Sequence, residues 1–354
     1  MPMHLGSARS FYSGHSRSLP SPSTLITRMF AALLLLVGTT IATQSLTTGA
    51  AQAETERELL PVSSDGSTLD TATLDMMEKL PDVDAIPATT PSKSPDDVGA
   101  SFDPDDLKGE TDEFGTFSII GDDERTRTTP TDWHPAAATV QFTLVNDAGN
   151  RVQYCSGFMI SPDTVATAGH CVYNEDAFGG WVSGRQFLAF PGRDGTDAPY
   201  GSCAAVSFYS VNFWTEDGDS EYDYGAVKLD CTVGDATGTY GYYWQSASLD
   251  GTGTSTRGYP GDQAFGTQWA SYDQIRETHD RQVFYQNDTV GGQSGSPVYT
   301  YRDSCNGPCA MAVHAYGCRT SGTCNDDDPP FTNHNYGTRI TEEVFGFFQA
   351  WSAL

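Results

Sequence analysis

The chain runs to 354 residues and carries 46 Asp and Glu against 19 Lys and Arg, a formal net charge of −27. Such an excess of negative charge repels nucleic acid and anionic membrane surfaces, so neither is expected as a partner; it favours solubility or tolerance of salt and says nothing of chemistry. Hydrophobic residues at 38% and aromatic residues at 12% suffice for a buried core, and the length exceeds one small domain.

The first 28 residues hold Arg9, Arg17 and Arg28 and no acid. An apolar run, residues 29–37, follows, and then Ala51-Gln52-Ala53. A basic start, an apolar middle too short to span a bilayer and an A-x-A end read as a secretory signal peptide over 1–53, cut after Ala53. An uncleaved anchor is the competing reading. Residues 54–117 are rich in Asp, Glu, Pro, Ser and Thr, lack cysteine, and hold only Arg57, Lys79, Lys93 and Lys108 as bases. Too little apolar surface is present to repay the entropy of folding, so this stretch is expected to be a disordered pro-segment, with a solvated linker as the bland alternative.

From Ser118 onward the texture is globular. Short β-rich runs such as Ala138–Val145 alternate with turn residues such as Asn146–Asn150, which predicts an all-β sandwich or barrel. One helix is predicted over Thr341–Trp351, with Glu342 and Glu343 in its first turn and Val344, Phe347, Phe348 and Trp351 at helical spacing. The eight cysteines, Cys155, Cys171, Cys203, Cys231, Cys305, Cys309, Cys318 and Cys324, all lie after residue 150. An even number confined to one region predicts disulfides and an oxidising, extracellular compartment. Zinc is the rival, but no histidine pair sits at ligand spacing, and neither a metal nor a cofactor is expected.

Three motifs carry chemistry, in the order His, Asp, Ser: Thr167-Ala168-Gly169-His170-Cys171, Tyr222-Asp223-Tyr224-Gly225-Ala226-Val227-Lys228-Leu229, and Gly291-Gly292-Gln293-Ser294-Gly295-Ser296-Pro297. A serine hydroxyl is a weak nucleophile at neutral pH and needs an adjacent base. A histidine near pKa 6.5 takes that proton and returns it to a leaving group. A buried carboxylate fixes the imidazole tautomer and stabilises its cation. Asp223 stands apart from its acidic neighbours Asp217, Asp219 and Glu221 because an apolar strand follows it. Glycines around Ser294 allow a tight turn that aims the Gly292 and Ser294 amides at one oxyanion. Each motif alone has a structural explanation; together and in order they point to acyl transfer.

These blocks resemble the chymotrypsin-like serine proteases, and within them the bacterial glutamyl endopeptidases of the V8 type. The resemblance runs from about Ser118 to the C-terminus. It includes S-I-I-G-D-D-E-R-T-R (Ser118–Arg127), T-V-A-T-A-G-H-C (Thr164–Cys171), G-Y-P-G-D (Gly258–Asp262), G-G-Q-S-G-S-P-V (Gly291–Val298), C-N-G-P-C-A-M-A-V-H (Cys305–His314) and G-T-R-I-T-E-E-V-F (Gly337–Phe345). It implies two six-stranded antiparallel β-barrels, over 118–232 and 233–354, the second closed by the C-terminal helix. It implies a catalytic triad of His170, Asp223 and Ser294, and a pocket in which His314 and Thr289 receive a glutamate side chain.

A carboxylate entering such a pocket has to be paired, and imidazole and hydroxyl donors select it without an arginine. Asp288 lies close by and keeps a preference for basic residues open. The resemblance also implies a mature chain starting at Ser118, whose free amine helps bind the substrate carboxylate. Phe117 precedes that bond, so a separate processing protease is expected. The expected disulfides are Cys155–Cys171, Cys203–Cys231, Cys305–Cys309 and Cys318–Cys324. The stretch from Cys318 to Pro330 looks like an insertion, and its acidic run lacks EF-hand spacing for calcium. The expectation is a secreted monomer acting on proteins or peptides, with another cleavage preference or a toxin-like binding protein on the same fold as the rivals.

Overall fold

Four strands precede the first barrel in the computed structural model, which describes residues 57–65, 71–80, 83–110, 117–183, 186–317 and 330–354. They are β1 (Pro61–Ser63), β2 (Ala85–Ile86), β3 (Phe117–Ser118) and β4 (Thr126–Thr128). The following strands are β5 (Thr139–Val145), β6 (Arg151–Met159), β7 (Thr164–Thr167), β8 (Tyr173–Asn174), β9 (Gly180–Trp181), β10 (Leu188–Pro191), β11 (Cys203–Val211) and β12 (Gly225–Leu229). The order β11-β10-β5-β6-β7-β12 closes because β11 also pairs with β12, which makes a six-stranded antiparallel ring. Val140, Phe142, Met159, Val165 and Val227 share the inward face and fill its interior.

The second half supplies β13 (Gly241–Tyr243), β14 (Gly253–Gly258), β15 (Gln268–Thr278), β16 (Gln282–Tyr285), β17 (Thr289–Val290), β18 (Pro297–Arg302), β19 (Gly307–Tyr316) and β20 (Asn335–Arg339). The order β18-β14-β15-β16-β20-β19 closes through β18–β19 into a second six-stranded ring. Both barrels expected from the resemblance are therefore present. Closure pairs the central part of each strand and leaves stretches such as the end of β11 and the start of β6 open to a further strand. Strand β4 pairs with β15, and β3 with β17, so residues 117–128 lie on the second barrel although they precede the first.

Three of the four expected disulfides are formed, Cys155–Cys171, Cys203–Cys231 and Cys305–Cys309. The proposed Cys318–Cys324 pair falls outside the described residues, as does most of the stretch from Cys318 to Pro330.

The expectation is of a segment largely disordered on its own; here it is seen against the folded domain. The described parts of 54–117 are ordered on the barrels. Strand β1 adds to β11, β2 adds to β13, and single bridges join Thr89 to Thr239, Ser101 to Ser202 and Glu110 to Val152. Asn212 extends the β1 contact, donating from Nδ2 to the Glu58 carbonyl (3.0 Å) and accepting from the Leu60 amide (2.9 Å). The physical reason is that backbone pairing asks nothing of side-chain composition, and the few apolar residues of the segment, such as Val62 and Val98, are buried against the core of the folded domain. An acidic segment without a core of its own gains order by borrowing edges from a folded domain.

The C-terminal helix spans Glu342–Ala353, with Thr341 as N-cap accepting from the Val344 amide. Its apolar face is the predicted one, Val344, Phe347, Phe348 and Trp351 all being buried. Trp351 stacks on Phe347 (5.6 Å between centroids) and on Tyr209 (5.8 Å). Tyr224 meets Phe348 at 6.3 Å and Trp351 at 6.2 Å. The helix thereby clamps the residue that follows Asp223. Truncating such an aromatic anchor leaves a large cavity, so Trp351→Ala should cost about 3–5 kcal/mol of stability, measured as a lower denaturant midpoint in chemical unfolding.

Candidate active site

Strand β7 ends in a 3₁₀ turn over Gly169–Cys171 that carries His170. The Cys155–Cys171 disulfide ties this turn to β6, with 6.1 Å between Cα atoms. Tyr154 Oη donates to the His170 carbonyl (2.9 Å) and fixes the turn from the other side. A side chain at Gly169 would meet Trp214 at 2.9 Å and Asp223 Oδ1 at 3.0 Å, so only glycine lets the loops approach.

Asp223 sits at the mouth of β12 with its side chain fully buried. Its φ of −76° and ψ of 73°, with the Tyr224 amide donating to the Tyr222 carbonyl (2.8 Å), form an inverse γ-turn that aims the carboxylate at His170. Both oxygens contact that residue. Oδ1 accepts from the His170 amide (2.8 Å), and Oδ2 lies 2.7 Å from His170 Nδ1. Thr338 Oγ1 donates to the Asp223 carbonyl (2.9 Å) and pins the backbone from the second barrel. Burial alone pushes the His170 pKa down. The charge of Asp223 and its hydrogen bond outweigh burial and raise it above the ordinary value.

Ser294 lies on the loop between β17 and β18. The Ser156 amide donates to the Ser294 carbonyl (2.8 Å), and Cys171 Sγ lies 3.7 Å from the same oxygen. The serine is thus brought against the residue next to His170. The Gly295 amide donates to the His314 carbonyl (2.7 Å). Gly292 (φ 95°) and Gly295 (φ 87°) occupy the left-handed region that only glycine adopts freely. A Cβ on Gly295 would lie 2.1 Å from Thr167 Oγ1, and one on Gly292 would lie 2.8 Å from the Tyr259 carbonyl. Among the described residues no backbone carbonyl takes the Gly292 or Ser294 amide, which leaves both donors for an incoming oxygen.

On the other flank His314 is 4% exposed and stands on β19. Its Nδ1 lies 2.7 Å from Tyr285 Oη. Burial, reinforced by nearby His170, holds its pKa down at about 3, so the ring is neutral and supplies an N–H rather than a charge. Thr289 is buried on β17, where its backbone pairs with Ser118.

Asp288 does not line a pocket for a basic side chain. Its carboxylate oxygens accept the Ile120 and Glu124 amides, both at 2.8 Å, so it anchors the segment after Ser118. The structure adds Tyr285 and Tyr316, which sequence reasoning missed. The Tyr316 ring lies 6.0 Å from that of His170, and burial together with the Asp223 carboxylate holds its phenol above the usual range. A strand reading of 307–316 would have shortlisted Tyr316, two residues on from His314; nothing in the sequence marks Tyr285.

The two histidines should behave oppositely in solution. In an NMR titration the His170 ring should change protonation above pH 6.5, and the His314 ring should stay neutral throughout about pH 5–9. A His314 titration near neutrality would show that its pocket is wet.

Residues 125–328, more than half of the chain, match the family model described as Trypsin. The chain is 42% identical over 237 residues to the extracellular metalloprotease of Bacillus subtilis (strain 168), covering 66% of this chain and 70% of that one. It is 40% identical over 241 residues to the glutamyl endopeptidase of Bacillus licheniformis, covering 67% and 70%. A solved Glu endopeptidase, in complex with MPD, superposes with a TM-score of 0.55 at 26% identity, over 67% of this chain and all of that one. One relative's name implies a metal, but the donor sets here do not fit one. The two candidate groups among the described residues, Cys155 with His170 and Cys171, and Cys203 with Asp230 and Cys231, each spend both sulfurs on a disulfide. The chain belongs to the trypsin family and is a serine endopeptidase homologous to the bacterial glutamyl endopeptidases.

Proposed function

We propose that this protein is a secreted endopeptidase that cuts after glutamate, made as a precursor with a signal peptide over 1–53 and a pro-segment over 54–117. The observation that carries the reading is one loop, 291–296, whose Ser294 carbonyl meets the His170 turn on one side and whose Gly295 amide meets the strand of neutral His314 on the other. Ser294 Oγ attacks the scissile carbonyl as His170 takes its proton. The oxyanion is received by the Gly292 and Ser294 amides. His170, held in one tautomer by Asp223, then protonates the leaving amine, and water repeats the sequence on the acyl-enzyme.

The P1 carboxylate meets His314 and Thr289. With Tyr285 donating to Nδ1, His314 presents Nε2–H to it. Pairing of β3 with β17 holds the bond before Ser118 beside Thr289. Cutting that bond creates a compact cation next to the carboxylate, in a protein that has few others. Phe117 precedes the bond, so a second protease makes the cut, and the product works as a monomer on protein and peptide substrates.

Ser294→Ala should lower kcat by a factor on the order of 10⁶ without loss of fold, because the triad acts as a unit. Normal turnover by the folded variant would remove Ser294 from the mechanism. Wild-type kcat/KM should favour a P1-Glu peptide over its P1-Gln twin. His314→Ala should collapse that preference at a cost of about 3–5 kcal/mol. If wild type makes no distinction, the pocket belongs to another side chain. Activity should fall as pH drops through the raised His170 pKa, so the acidic limb of kcat/KM should lie above pH 6.5.

A further inference from the structure

The peptide bond between Ser294 and Gly295 sorts the two flanks of the cleft. Its C=O takes the Ser156 amide, and its N–H goes to the His314 carbonyl. In a trans peptide these groups point in opposite directions, so β6 lies across the serine loop from the pocket strand. That places β6 on the flank where, in the proposed reaction, the leaving peptide departs. From Ser156 back to Gln153 the strand covers about 10 Å. Gln153 still touches the oxyanion loop: its Nε2 donates to the Tyr259 carbonyl (3.0 Å), and a Cβ on Gly292 would lie 3.3 Å from its Cγ.

This part of β6 is occupied by the chain's own residues 106–110. The Glu110 amide donates to the Arg151 carbonyl, and the Gln153 amide donates to the Glu110 carbonyl, both at 3.1 Å. Two arginines grip the same segment. Arg151 Nη2 reaches Asp106 Oδ1 (2.7 Å), and Arg193 Nη2 reaches the Leu107 carbonyl (2.7 Å). Gly109 lies flat on Phe265, where a Cβ would fall 2.2 Å from the ring and 2.9 Å from the Arg151 carbonyl.

Arg193 is the telling residue. It is fully buried, flanked by Phe190 (4.9 Å) and Phe265 (4.4 Å), and its other hydrogen bonds go to the Gly195 carbonyl and Gln141 Oε1. Among the described residues no carboxylate comes within ion-pair distance of it. Burial holds its pKa down at about 10. A buried cation that lacks a carboxylate is costly, and here its remaining donor is satisfied by the segment alone. Were 106–110 to leave, Arg193 and Arg151 would face the cleft with unmet donors, in a chain whose net charge is −27. Residues 103–110, Asp-Pro-Asp-Asp-Leu-Lys-Gly-Glu, bring four acids and one lysine.

We propose that the start of β6, with Arg151 and Arg193, is a binding site for an extended acidic peptide on the leaving-group side of the cleft, filled in the precursor by residues 106–110. The site holds the pro-segment in place, and once vacated it favours substrates with carboxylates downstream of the cut bond. The location relative to the scissile bond rests on the Ser294 reading above; the site itself does not.

The test separates the two. In the full chain carrying Ser294→Ala, the Gln153 amide is followed by hydrogen exchange. Gly109→Val, which cannot seat on Phe265, should speed its exchange about tenfold or more, because the Glu110 acceptor is lost. Asp106→Asn, which leaves the backbone intact, should act in the same direction and guards against a misfolded valine variant. Adding the synthetic peptide DPDDLKGE to the Gly109→Val chain should restore protection. A control peptide with Asn and Gln for its acids should not. Unchanged exchange in both variants, or equal rescue by the neutral peptide, would overturn the site. In the active chain the acidic peptide should inhibit cleavage of a substrate extended past the cut bond, and spare a Glu-p-nitroanilide. Equal inhibition of both would remove the site from the leaving-group flank. Absence of hydrolysis with rescue intact would count against the protease mechanism and leave the binding site standing.

Discussion

A single carboxylate with no solvent sets the terms for the rest of the cleft. Asp223 is fully buried, and its two oxygens face the amide and the ring of one histidine, with the Tyr316 hydroxyl on the same carboxylate. A buried charge persists only if its surroundings are fixed well enough to keep every hydrogen bond. The surroundings are fixed from three directions. The aromatic face of the C-terminal helix packs on Tyr224, Thr338 holds the Asp223 carbonyl, and the Cys155–Cys171 disulfide holds the histidine turn. Two of these three come from after residue 330. The last strand and helix therefore stabilise the site as much as they close the second barrel.

The cations are few, and those that are buried stand where segments meet. Arg125, almost without exposure, bridges Asp123 and Asp262 and so joins the segment after Ser118 to the second barrel. Arg193 joins the segment before Ser118 to the first. Each of these cations is itself buried and ties two segments together, Arg125 through two carboxylates and Arg193 through carbonyls, so losing a partner would leave a buried guanidinium with unmet donors. The region around Ser118 is thus tethered on both sides, by Arg193 and Arg151 upstream and by Asp288 and Arg125 downstream, with the bond proposed for processing between them.

Much of this was readable from the sequence, and the parts that were not share a cause. His170, Asp223 and Ser294 stood out because the proposed catalysis demands particular side chains in motifs with glycine, and the structure brings the first two into hydrogen-bond contact. The C-terminal helix was readable from the spacing of Phe347, Phe348 and Trp351. The order of the described parts of 57–110 was not, because it rests on backbone pairs such as Glu110 with Val152 and on scattered apolar side chains such as Val62, Ala88 and Val98, too few and too irregularly spaced to form a pattern. Asp288 kept a preference for basic residues open because it lies shortly before Gly291-Gly292. Only the two amides it accepts, from residues 120 and 124, reveal an anchor. Tyr285 partners His314 from 29 residues away across a barrel, a distance that no local pattern spans.

The neutrality of His314 bears on how a carboxylate would be chosen. A pocket with a permanent cation binds any anion and pays a desolvation cost when empty. A neutral imidazole at a pKa of about 3 carries no such cost. In the proposed pocket the substrate carboxylate brings the negative charge, His314 and Thr289 meet it with neutral donors, and the proposed amine at Ser118 balances it. Selectivity then depends on donors that are idle until the correct side chain arrives. It also depends on the Tyr285 hydroxyl, which decides which imidazole nitrogen keeps its proton. In the uncut chain that amine does not yet exist, and on the opposite flank residues 106–110 lie on β6. On this reading the precursor is restrained on both sides of Ser294 by the same stretch of chain: by a charge not yet made at its end, and by a peptide not yet released from its middle.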